Sequence, residues 1–159
     1  MDISFLDHQI AVGEGIWSEE RMAWLLRQGV THILNLQHEF DDRSLIQAAG
    51  LTIRWLPTED DLQPKPAVFF QQVIEFARAA LDRPGHVLYV HCTAGVHRGP
   101  LAALAILMDR GMSLAAGCGY IRARRPVVDF PEAYLDSLRE YMHSSTDESV
   151  LADESVEVS

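Results

Sequence analysis

The chain has 159 residues, 48% of them hydrophobic, which is enough to bury one good core and short for two domains. Its 23 acidic residues against 13 lysines and arginines give a formal net charge of -10, which repels a nucleic-acid backbone and argues against that partner, while a local positive pocket stays possible. Two cysteines in unlike contexts suit a reducing, cytoplasmic setting, and no leader-like start at Met1-Asp2-Ile3-Ser4 or membrane-length apolar run is read.

In chain order, the first β-favouring segments are Ile3 to Phe5 and Gln9 to Val12, parted only by Leu6-Asp7-His8 and therefore read as a hairpin at a sheet edge. A helix follows: Ser18 can cap it, Glu19 and Glu20 suit the positive end of its dipole, Met22, Leu25 and Leu26 share a face, and Gly29 can end it. His32 to Leu36 is the third strand, Asp42 to Ala49 a short helix closed by Gly50, and Thr52 to Leu56 the fourth strand. Over Ala67 to Leu81, Phe69, Val73, Phe76 and Ala80 recur at helical spacing, between Pro66 and Pro84-Gly85. Val87 to Val90 is the fifth strand, and a glycine-bearing turn leads from it into a helix with Leu101, Leu104, Ala105 and Met108 on one face. Leu114 to Arg124 and Pro131 to Met142 are two further helices. From Ser144 the composition turns to Ser, Asp, Glu and Val without periodicity, predicting a flexible acidic tail over 144–159 after a folded domain of residues 1–143. The alternation predicts an α/β fold, a mixed and mostly parallel sheet of about five strands flanked by helices.

The segment that carries chemistry is His91-Cys92-Thr93-Ala94-Gly95-Val96-His97-Arg98, between the fifth strand and the helix after it. A loop that feeds a helix can turn consecutive N–H groups inward, and the helix dipole adds positive potential, so the geometry makes an anion cradle. A cysteine at its rim is expected as a nucleophilic thiolate. Arg98, six positions on, can curl back so that its planar fork grips two phosphate oxygens together, which lysine cannot do. Gly95 permits a backbone conformation that a side chain resists. The competing account of Cys92, a small buried structural thiol, has the combination of strand, loop, glycine and arginine against it.

His-Cys-x-x-Gly-x-x-Arg resembles the motif of the protein tyrosine phosphatase superfamily, and Ala94-Gly95 with the flanking residues is similar to its dual-specificity branch. The resemblance runs to about Met142 through Thr31-His32-Ile33-Leu34-Asn35-Leu36, Val87-Leu88-Tyr89-Val90-His91-Cys92 and Arg124-Arg125-Pro126. It implies a dual-specificity phosphatase-like fold that hydrolyses phosphomonoesters through a phosphocysteine on Cys92, with Thr93, Ala94, Gly95, Val96, His97 and Arg98 around the phosphate. It also implies a general acid on the loop Pro57-Thr58-Glu59-Asp60-Asp61, where Asp60 matches the family position by its distance from Pro57 and from Phe69-Phe70. Such a carboxyl protonates the departing alkoxide or phenoxide and then takes a proton from the attacking water. Asp61 is the substitute, and for both the alternative is a solvated turn residue. His91 is implied to support the loop and the thiolate by hydrogen bonding, a role compatible with a satisfied core histidine. Neither metal nor organic cofactor is needed where nucleophile, acid and phosphate clamp are side chains. The expected partner is a phosphorylated protein or another phosphomonoester, and the chain is read as a monomer.

The sequence departs from that pattern at two positions. His97 stands where the branch often has a small residue; it is read as exposed, adding charge below about pH 6.5 only if it faces the pocket. Gly99, followed by Pro100, stands where a hydroxyl commonly stabilises the departing thiolate, so turnover is expected to be modest. A small residue followed by proline is similar to plant glucan phosphatases of the same branch. Trp17, Trp24 and Trp55 are read as core, and Arg122, Arg124 and Arg125 either line a site for a more anionic substrate or form a solvated helix end. Three functions follow: a phosphatase of phosphopeptides, a phosphatase of a phosphoinositide or phosphoglucan, and a phosphate-binding module of low activity.

Overall fold

The computed structural model describes residues 1–45 and 50–157. Strands β1 (Ile3–Phe5), β2 (Ile10–Gly13), β3 (His32–Gln37), β4 (Thr52–Thr58) and β5 (Leu88–His91) form one sheet in the order β1-β2-β5-β3-β4. Only β1 is antiparallel, joined to β2 as the edge hairpin that the three-residue connection predicts; the other neighbours run parallel. Side chains alternate across β5: Leu88 and Val90 enter one core layer and Tyr89 the other. Helices α2 (Ala67–Ala80), α3 (Arg98–Asp109), α4 (Leu114–Arg124) and α5 (Glu132–Glu157) cover the first face, and α1 (Glu19–Arg27) covers the second through Met22 and Leu25.

Local chemistry explains the element ends. Ser18 caps α1 by accepting the Arg21 N–H, Ser113 caps α4 by accepting that of Ala116, and Gly29 leaves α1 at a φ of 91°. The expected helix over Asp42 to Ala49 is a 3₁₀ turn at Asp42–Leu45, its first residue drawn inward by a buried contact; 46–49 lie outside the described residues. Helix α5 runs from Glu132 through Glu157, past the Met142 at which a helix was expected to end. Its first turns bury Tyr134, Leu135 and Leu138, and packing of an apolar face supplies most of the stability of such a helix. Trp17 is also corrected, since it is 44% exposed and leans on Phe40 instead of entering the core. Among the described residues no helix is long and apolar enough to cross a membrane.

The sheet register prepares one place for chemistry. Gly13 of β2 and Asn35 of β3 both stand opposite His91, the last residue of β5. The loop after β5 therefore leaves the sheet at the carboxyl ends of its two parallel neighbours, where α/β sheets bind ligands.

Candidate active site

The loop from His91 to Arg98 closes at once into α3, whose first turn holds Gly99 and Pro100. Proline is tolerated there because the first-turn N–H groups have no partner within the helix. The free Gly99 N–H instead points at the Cys92 Sγ, 3.4 Å away, so a helix amino end faces the sulfur. Gly95 sits at a φ of 68°, and a Cβ there would lie 2.6 Å from Arg125 Nη2 and 2.7 Å from the Gly13 carbonyl. Both the turn and the close packing require glycine.

Cys92, Thr93, Ala94, Val96, His97 and Arg98 line one open pocket of about 530 Å³, which His38, Glu39 and Asp60 complete. A Cβ on Gly95 would point at Arg125 and Gly13. Cys92 is 2% exposed and Arg98 4%. Arg98 donates from Nη1 and Nη2 to the two oxygens of Glu39 at 2.6 and 3.0 Å, and from Nη1 to the Thr58 carbonyl at 2.9 Å. Thr93 Oγ1 also donates to Glu39 and accepts from Gln37 Nε2. Burial works against the Arg98 charge, but the Glu39 bond and the charges of Cys92, Glu39 and Asp60 outweigh it and raise the pKa above its ordinary value. Arg98 Nε is buried with no hydrogen-bond partner among the described residues. A cation left with one orphan donor beside an open pocket is prepared for an anion.

Glu39 is held at about 2, first by the Arg98 hydrogen bond. Because its folded pKa is depressed, the stabilisation it provides is complete above the ordinary value of 4.5 and is lost as pH falls through about 2. Glu39→Gln should therefore show a shallower loss of stability than the parent across that window. Urea midpoints measured at both ends check this, and parallel curves contradict it.

The two aspartates of the acid loop separate clearly. Asp60 faces the pocket, accepting the Tyr134 hydroxyl at Oδ1 over 2.8 Å. Asp61 turns to Lys65, whose Nζ also donates to the Glu59 carbonyl and lies 5.0 Å over the Tyr134 ring. The loop carries a non-glycine residue at positive φ, Leu62 at 61°, and its N–H bonds the Tyr134 hydroxyl. Burial raises the Asp60 pKa, yet the bonds from His97 and Tyr134 and the charges of His97 and Arg98 more than offset it, so it rests below the ordinary carboxylate value. Burial, then the bond to Asp60, pushes Tyr134 up to about 12.

His91 is fully buried; its Nε2 meets Asp42 Oδ2 at 2.8 Å and its Nδ1 the Cys92 carbonyl at 3.2 Å. It supports the backbone that carries the sulfur rather than the sulfur itself. His97 is not the exposed side chain expected: its ring meets Asp60 Oδ2 at 3.0 Å and Asp129 Oδ2 at 3.1 Å, because the Asp129 N–H docks on the Val96 carbonyl and brings that loop alongside. The three arginines near the end of α4 also divide. Arg122 and Arg124 cover the Phe130 and Tyr120 rings, whereas Arg125, 1% exposed, donates to the carbonyls of Ala94 and Gly95 and to the Asp2 carboxylate. Arg125 is thus a brace beneath the loop and not part of a solvated helix end. Glu39, Lys65, Asp129 and Tyr134 escape sequence reasoning because no local pattern marks them, and the bracing role of Arg125 is visible in the sequence only as part of the Arg124-Arg125-Pro126 match.

Comparison with known proteins agrees with this geometry. The model of the dual specificity phosphatase catalytic domain matches residues 16–144. Human dual specificity protein phosphatase 5 is 30% identical over 113 residues, covering 70% of this chain and 28% of that protein. Rat dual specificity protein phosphatase 26 is 38% identical over 86 residues, covering 53% and 41%. The chain thus spans well under half the length of these curated relatives. Among solved structures, PTPMT1 in complex with PI(5)P superposes with a TM-score of 0.79 at 20% identity, covering 92% of this chain and 98% of that one. Human DUSP28 gives 0.76 at 23% identity, covering 91% and 99%.

Proposed function

Because the chain belongs to the dual specificity phosphatase catalytic-domain family, we propose that it hydrolyses phosphomonoesters through a phosphocysteine on Cys92. The observation that carries this reading is Arg98, buried with an orphan Nε donor, lining the same pocket as the Cys92 sulfur. The substrate phosphate takes Arg98 and the loop amides, Cys92 Sγ attacks phosphorus, and the P–O bond breaks with its electron pair on the leaving oxygen. Asp60 gives that oxygen a proton; it then draws a proton from the water that attacks phosphorus, and the S–P electron pair returns to sulfur. Asp61 is committed to Lys65 and is the poorer candidate. His91 keeps the loop in place, and Thr93, Ala94, Gly95, Val96 and His97 build the cradle.

Two buried cysteines that form no disulfide fit action as a monomer in the reducing cytoplasm. A phosphopeptide is the leading substrate class. The exposed Trp17 against Phe40, close to the Gly15 N–H that bonds the Thr93 carbonyl, favours the second class, a phosphoinositide or phosphoglucan whose ring can stack there. Gly99 favours the third reading, phosphate binding with little turnover. A panel of phosphotyrosine and phosphoserine peptides, phosphoinositides and phosphoglucan, with and without vanadate, tests all three. Vanadate-sensitive turnover confirms the phosphatase, the preferred substrate chooses between the first two classes, and binding without product sinks the reading.

A Cβ on Gly99 would lie 3.6 Å from Cys92 Sγ and 3.4 Å from Val12 Cγ1, an ordinary contact. Gly99→Ser should therefore fit and bring a hydroxyl to the departing sulfur. A bond to a charged group contributes about 1.5–3 kcal/mol, so phosphoenzyme hydrolysis should quicken by roughly 10- to 100-fold. The steady-state rate after a product burst measures this, and an unchanged rate would show that the missing hydroxyl does not limit turnover.

A further inference from the structure

His97 is bonded at both ring nitrogens to carboxylates, Asp60 on one side and Asp129 on the other. A neutral imidazole has one donor and one acceptor, and an ionised carboxylate only accepts. Both contacts are therefore satisfied only when these three groups hold one extra proton, on the second ring nitrogen or on one of the carboxyls. At Asp60 that proton belongs to Oδ2, because Oδ1 already accepts from Tyr134, whose own oxygen is occupied by the Leu62 N–H.

We propose that His97 is a positioning residue that stores the proton Asp60 delivers, so that the Asp60–His97 pair, and not the carboxyl alone, is the working acid of the reaction. This rests on Asp60 acting as the acid proposed above. In the first half-reaction His97 passes its stored proton to the Asp60 carboxylate, and Asp60 gives it to the leaving oxygen as the P–O bond breaks, which leaves a carboxylate and a neutral imidazole. In the second half-reaction the attacking water gives its proton to Asp60, and His97 takes it back. The cycle closes with no external donor.

A carboxyl held below its ordinary range would by itself be empty near neutral pH, so it needs a bonded partner that holds the proton for it. A coupled pair loses its last proton as a unit, so the alkaline limb of the pH–rate profile should belong to the Asp60–His97 pair and not to the carboxyl alone. The other ionisable groups nearby do not supply that limb. Glu39 is held at about 2, and Arg98 is raised above the ordinary arginine value. Asp61 and Lys65 pair with each other. His38 pairs with Glu39.

The test compares pH profiles of kcat/KM for the parent, His97→Gln, Asp129→Asn and Asp60→Asn, on phenyl phosphate and on p-nitrophenyl phosphate, whose leaving group needs less protonation. For His97→Gln the alkaline limb on phenyl phosphate should move at least about one pH unit towards acid, with a loss at neutral pH about 10-fold greater on phenyl phosphate than on p-nitrophenyl phosphate. Asp129→Asn, at an exposed side chain that leaves the fold intact, should move the limb in the same direction by less. If Asp60→Asn loses rate on phenyl phosphate and both other variants keep the parent limb, His97 is a structural residue and the proposal is overturned. If Asp60→Asn itself shows no dependence on the leaving group, the assignment of Asp60 fails, and the proposal with it.

Discussion

Cys92→Ser should abolish turnover, by at least about 10⁴-fold, while leaving the fold and the phosphate site in place. The sulfur lies in a slot 2% exposed, where the smaller hydroxyl fits and can still accept the Gly99 N–H. A hydroxyl at that point ionises far less readily than a thiol, and among the described residues no histidine is hydrogen-bonded to the Cys92 side chain to act as a base. The nucleophile is therefore lost, whereas Arg98, Glu39 and the loop amides are not. The expected readouts are no product above background with an aryl phosphate, a melting temperature close to that of the parent, and retained binding of inorganic phosphate by calorimetry. Substantial activity in this protein would remove covalent catalysis by Cys92, and loss of both binding and stability would show that the sulfur is structural.

Arg98→Lys should reduce kcat/KM by about 10²–10³-fold although the charge is kept. The guanidinium engages four acceptor atoms at once, two on Glu39, the Thr58 carbonyl and Thr93 Oγ1, and keeps its Nε donor without a partner among the described residues. An ammonium has three donors radiating from one atom and cannot hold Glu39 while presenting a planar fork to phosphate. If charge alone mattered, the lysine variant would stay within a few fold of the parent, and a salt titration would affect both proteins alike. A large loss with unchanged stability locates the effect in the geometry of the fork. The Glu39 carboxylate also competes for the groups that phosphate needs, so substrate binding must draw on the unused Nε or displace part of that pair.

The nucleophilic loop was readable before any coordinates because its parts are adjacent in the chain. Cys92, Gly95 and Arg98 lie within seven consecutive residues between a strand and a helix, and local backbone geometry brings sulfur, amides and guanidinium together. The five strands, the edge hairpin and the helices over Ala67 to Leu81 and Leu114 to Arg124 were readable for a similar reason, since burial repeats with a short period along each element. Asp60 was readable only beside Asp61, because neighbours on a loop differ in direction and not in spacing. His97 was misread as exposed because its partners come from elsewhere: Asp60 is 37 residues away and Asp129 is 32.

By itself, then, the sequence determined the layered α/β architecture and the strand-loop-helix segment that carries Cys92 and Arg98 to one pocket, both of which follow from short-range pattern. Tertiary structure alone decided which aspartate faces the pocket, that Glu39 grips Arg98 from 59 residues away, that Arg125 braces the carbonyls of Ala94 and Gly95, and that His97 joins two carboxylates. The physical reason is that hydrogen bonds between distant segments depend on the register and packing of the whole sheet, which no periodicity in the chain records.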